Sequence, residues 1–113
     1  MTAFASPADA VPALSKLLEA RDWTALAACY DADPAALPPA FFFDADAASH
    51  PSGAERWRHP FPPGWRYLSH EEAGGLAVVQ VGIEIDQGDG MIQRGYTEFR
   101  MRRTPAGWRV LPR

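Results

Sequence analysis

Apolar residues in the first third of the chain recur at helical spacing, whereas those of the C-terminal half alternate with polar ones. Val11, Leu14, Leu17 and Leu18 form one stripe, with Ser6 or Asp9 as the capping residue. Pro7 and Pro12 are compatible with this helix if it begins near Asp9. Asp22 is a good cap for a second, short helix in which Trp23, Leu26, Ala27 and Tyr30 share a face. Asp31, Asp33 and Pro34 end it.

The alternation after residue 65 predicts four strands, at 65–71, 76–86, 91–104 and 107–111. Between them stand three turn sequences: Ala73-Gly74-Gly75, Gln87-Gly88-Asp89-Gly90 and Thr104-Pro105-Ala106-Gly107. Such short connections make an antiparallel meander. With tight turns, Trp65, Tyr67, Val79, Val81, Ile83, Gly95, Thr97, Phe99, Met101, Trp108 and Val110 share the side that receives the helices. The other side carries Glu84, Arg94, Glu98, Arg100, Arg102 and Arg109 together with Leu68, Leu76, Val78, Ile92 and Tyr96. His70 is expected on that outer side. A face that mixes charge pairs with so many large apolar groups suits association of two copies.

Between the helices and the sheet the periodicity dissolves. Seven of the 11 prolines fall in 31–65, which leaves room for no more than a short helix opening at Pro38 or Pro39. Phe41-Phe42-Phe43 is too apolar for water, so this stretch must fold back over the core. Irregular segments of this length inside a small domain are often lids or binding loops.

Composition narrows the picture. At 113 residues the chain suits one domain, 1–113, with a core that needs no covalent staple. A net charge of −3 argues against nucleic-acid binding, which needs a basic surface. Cys29 is alone, so there is no intrachain disulfide and a cytoplasmic setting is the expectation. The start lacks a secretory signal pattern, and no apolar run has membrane-spanning length. Abundant Ala, Arg and Pro with a single Lys suggest a GC-rich bacterial genome.

Two stretches, SPADAVPALSKLLEARDWTALAACYDAD and YTEFRMRRTPAGWRVLPR, resemble the nuclear-transport-factor-2-like superfamily. In that group a capped helix, an Asp-Trp turn and a second helix ending in Tyr-Asp precede a long-stranded meander that closes on Gly-Trp-Arg-Val. The resemblance implies an α+β cone of cystatin type, in which helices pack on a strongly bent antiparallel sheet of four or more strands. It also implies a pocket between helices and sheet, and often a homodimer packed through the sheet. Members include SnoaL-like isomerases, cyclases and dehydratases, ligand-binding domains and immunity-type interaction modules, and fold alone does not choose among them.

Candidate residues follow from where polar groups meet the apolar side. Tyr67, Gln93 and Thr97 point inward on the sheet, beside Phe99, and Tyr30 could join them from the second helix; these five are the ligand-binding candidates. The expected ligand is a small hydrophobic molecule. An enzyme would need a base, for which Asp44, after the Phe run, and His59, between Arg58 and Pro60, are the catalytic candidates, with Tyr67 as donor to a developing oxyanion. His50, His59 and His70 match no metal-ligand spacing with Asp44 and Asp46, and no cofactor motif is present. Cys29 reads as a small packing residue.

Overall fold

The computed structural model describes residues 2–46 and 56–112. His50 and Pro51 lie outside them. The chain is an α+β domain with helices α1 (Pro7–Ala20), α2 (Trp23–Ala28) and α3 (Pro39–Phe42) ahead of a four-stranded antiparallel sheet. Its strands are β1 (Arg66–Ala73), β2 (Leu76–Asp86), β3 (Ile92–Thr104) and β4 (Gly107–Val110), in the order β1-β2-β3-β4. Among the described residues, no helix is long and apolar enough to cross a membrane.

Helix α1 begins at Pro7 and not near Asp9. Ser6 is its N-cap, accepting from the Asp9 amide at 3.2 Å, and Pro7 fits the first position because that N–H is never used. Pro12 is therefore inside the helix, on its exposed side, where the unpartnered carbonyl four residues back is nearest to solvent. The helix ends where Arg21 turns left-handed, at φ 52°, and its amide and that of Asp22 close back on Leu18 and Leu17. Asp22 then caps α2 through the Ala25 amide. Tyr30 falls beyond α2 and bridges in parallel to Val110. Phe4 bridges to Trp108, so both segments cover the open side of β4.

The sheet follows the alternation closely. Val79 faces Phe99 and Val81 faces Thr97 on the inner side; Val78 faces Arg100 and Glu84 faces Arg94 on the outer. Val79, Val81, Phe99, Met101, Trp108 and Val110 are buried beneath Val11, Leu14, Leu18 and Leu26. Two glycines inside the strands mark places where a ring or a branched side chain lies on the backbone. Trp65 covers Gly95 on the inner side, 2.9 Å from where a Cβ would stand, and Leu68 and Tyr96 crowd Gly82 on the outer.

One expectation about the faces is corrected. A β-bulge between Tyr67 and Ser69 adds a residue to β1, so Tyr67 pairs with Val81 and His70 with Val79, both on the inner side. His70 is thus turned away from the outer face. On that outer face Leu68, Leu76, Ile92 and Tyr96 remain exposed, Tyr96 at 67%. Arg109 also belongs to it by register, yet is buried, with Nη2 donating to the Ala28 carbonyl and Nη1 3.6 Å from Asp31. Asp31 also receives Arg102 at 3.4 Å, which ties the end of α2 to the last two strands.

Candidate functional site

The proline-rich segment is the roof of the inner sheet face. Its two described halves run antiparallel: Phe43 bridges to Trp57, and the Arg58 amide donates to the Phe42 carbonyl at 2.9 Å. Beyond that point the chain bends at His59 and Pro60 and turns at Pro63 and Gly64, and its rings come to rest on the elements beneath. His59 meets Tyr30 and Phe41, Phe61 lies 5.5 Å from Phe99 ring to ring, and Trp65 covers Gly95. Phe42 is fully buried between Trp23 and Tyr30. The Phe run does fold back over the core, as its hydropathy requires.

Two of the candidate residues meet. Tyr30 Oη is 2.6 Å from His59 Nδ1. Burial pushes the Tyr30 phenol well above its ordinary value of 10, with the neighbouring Cys29 adding to the effect, and the same burial pulls His59 down from 6.5 to about 4. Both are therefore neutral at pH 7. The phenol and the ring nitrogen share one hydrogen bond, and neither carries a charge. A neutral, mutually satisfied pair of this kind is a way to bury two polar groups under aromatic rings.

Asp44 sits at the rim. Its Oδ2 accepts from Arg58 at 2.5 Å and its Oδ1 accepts from the Asp46 amide at 3.0 Å. Gln93 is exposed near the tip of the β2–β3 hairpin, where Gln87 donates to it at 2.9 Å. Phe99 is core. Thr97 is exposed, one step along the strand from Phe99 and at the edge of the roof. Between the roof and the sheet lies an open cleft of about 240 Å³ lined by Trp57, Arg58, Pro60, Phe61, Pro62, Trp65 and Thr97. Thr97 alone of the seven catalytic and ligand-binding candidates lines it.

The bulge in β1 assembles a second group. Tyr67 Oη is 2.7 Å from His70 Nδ1, and His70 Nε2 is 3.5 Å from Glu72 Oε1. Glu72 pairs with Ala77 and so shares the inner side. A carboxylate beside Nε2 favours the tautomer whose Nδ1 accepts from a phenol. Tyr67 was legible as inward-facing; its partners were not. Residues three apart on a regular strand face opposite ways, and no signal in 66–72 marks the inserted residue. Phe61 and the prolines around it were equally hidden, because a segment without periodicity gives no face. Among the described residues, no three His, Cys, Asp or Glu side chains converge as metal ligands would.

No known family model matches the chain. No curated protein and no solved structure matches it either.

Proposed function

We propose that the chain is a nuclear-transport-factor-2-like domain, folded as a bent-sheet cone, that binds a small hydrophobic molecule on the uncovered part of its inner sheet face. The observation that carries this reading is the cleft of about 240 Å³, walled by Trp57, Phe61, Trp65 and three ring-stiff or small residues, with Arg58 as the one charged group among the described residues that line it. Aromatic walls with the Thr97 hydroxyl and, at the rim, an Arg58 already paired with Asp44 suit a flat, mostly apolar molecule with a single polar end. The order of elements and the bridge from Tyr30 to the last strand support the family reading. The buried Tyr30–His59 pair holds the roof down and leaves binding to the cleft.

Titration with 8-anilinonaphthalene-1-sulfonate, followed by the rise of the dye's own emission, tests the reading. Saturable binding should be abolished by Thr97→Trp, which fills the cleft from the sheet side, while far-UV circular dichroism stays unchanged. No saturable change in the native protein, or binding indifferent to Thr97→Trp, would sink the proposal.

A second reading concerns self-association through the sheet. It rests on the outer face, where exposed Leu68 and Tyr96 stand over Gly82 between the charges of Arg66 and Glu84. Analytical ultracentrifugation that finds only monomer at every concentration would end it.

A further inference from the structure

Sheets expose unpaired backbone only at their edges, and proteins usually protect such edges. Three stretches of edge matter here. The open side of β1 carries the bulge at Leu68. The open side of β4 is covered by the bridges from Phe4 and Tyr30. The third is on β3: β4 pairs only with Met101–Thr104, so the longer part of this strand, from Ile92 to Phe99, has β2 on one side and, among the described residues, no backbone partner on the other. That stretch holds no proline, no lysine and no bulge.

The hydrogen bonds at its lower end show which groups are open. The Arg100 carbonyl accepts from the Leu111 amide on the β4 side, whereas the Arg103 amide donates to Gly75 on the β2 side, each at 2.8 Å. In an antiparallel strand the N–H and C=O of one residue point the same way, and successive residues alternate. Ile92, Arg94, Tyr96 and Glu98 therefore direct both groups at the free edge, and all four are exposed.

We infer that two copies of the chain pair edge to edge through β3, antiparallel, about a two-fold axis at Tyr96. The inference takes from the second reading above only that two copies associate, and it moves the contact from the outer face around Leu68 to the edge of β3. The charge pattern favours this register, the one that sets opposite charges against each other. With the axis at Tyr96, Arg94 of each copy stands opposite Glu98 of the other, and the two Tyr96 rings meet across the seam. An axis at Arg94 or at Glu98 sets like charges against each other, and one at Thr97 sets Arg94 against Arg100. Arg94 already holds Glu84 at 3.1 Å, so pairing places its guanidinium between two carboxylates. Tyr96, Arg94 and Glu98 join three hydrogen-bonded residue pairs across the axis. The product is one continuous eight-stranded sheet, four strands from each copy.

Sedimentation velocity over a wide concentration series, combined with residue-resolved amide exchange, tests this. The native chain should dimerise, and the Arg94, Tyr96 and Glu98 amides should exchange more slowly as concentration rises. Glu98→Pro removes one edge-directed N–H, a change that edge strands tolerate, and should weaken the dimer at least about tenfold with circular dichroism unchanged. Glu98→Arg, which keeps the N–H but opposes Arg94, should also weaken it. Leu68→Asp, on the outer face away from the seam, should leave the dimer intact. A dimer that survives Glu98→Pro and Glu98→Arg but is lost in Leu68→Asp packs face to face and overturns the edge inference alone. Monomer at every concentration, with those amides exchanging fast throughout, overturns both.

Discussion

The Tyr30–His59 pair makes stability depend on pH in a way that can be worked through. His59 is held near 4 in the folded chain against 6.5 when free, because its ring is packed against Tyr30 and Phe41. Its folded pKa is the lower one, so between 6.5 and 4 the unfolded chain binds a proton that the folded chain refuses. Stability is therefore fully present above 6.5 and is lost as pH falls through that window, at up to about 1.4 kcal/mol per pH unit. The gap between the two values bounds the total loss at about 3 kcal/mol, a large share of the stability of a small domain. Carboxylates titrate in the same range, so the quantity to measure is the difference between native protein and His59→Phe in urea unfolding at a series of pH values. At pH 7 the variant should be about 1–3 kcal/mol less stable, because the buried Tyr30 hydroxyl loses its hydrogen-bond partner. That difference should shrink, and then reverse, as pH falls toward 4. A difference that stays flat across the window would show that His59 is not buried and neutral, and the reasoning about the pair would fail.

The roof and the sheet offer further tests. Phe61→Ala removes the ring that lies on Phe99 and should cost about 3–5 kcal/mol in chemical unfolding. Gly95→Ala places a methyl group 2.9 Å from the Trp65 ring; it should cost about 1–3 kcal/mol and shift the tryptophan emission as that ring is displaced. Ser6→Ala should lower stability by about 1 kcal/mol in chemical unfolding through the loss of the α1 cap.

The sheet was legible because alternation reports faces directly, and turn residues at 73–75, 87–90 and 104–107 fixed where each strand reversed. Strands β2 and β4 match the reading to within one residue, and Gly95 stands on the face assigned to it. The helices were legible through caps and stripes, with Pro7 misjudged because a proline at the first helical position costs nothing. What alternation cannot show is its own interruption. The bulge at Leu68 changes the face of every residue of β1 from Ser69 onward, and with it the role of His70 and Glu72. The site suffered most, since its walls come from 57–65, where prolines remove periodicity and contacts are made only once the sheet exists. The aromatic content of that stretch announced burial but not which ring would lie on which neighbour.

The prolines of the roof carry a consequence for how a buried loop can exist. A segment laid over a core normally brings amide hydrogens that must find acceptors, and irregular chain seldom supplies them. Pro60, Pro62 and Pro63 have no such hydrogen, and the amide that follows them, that of Gly64, donates to Ser15 Oγ on α1 at 2.9 Å. The fixed φ of each proline also leaves the unfolded segment fewer conformations to regain. Substitutions of this type contribute about 0.4–1 kcal/mol apiece where the backbone suits them. The walls of the cleft are thus set before anything enters it, and a guest would spend little of its affinity on ordering them.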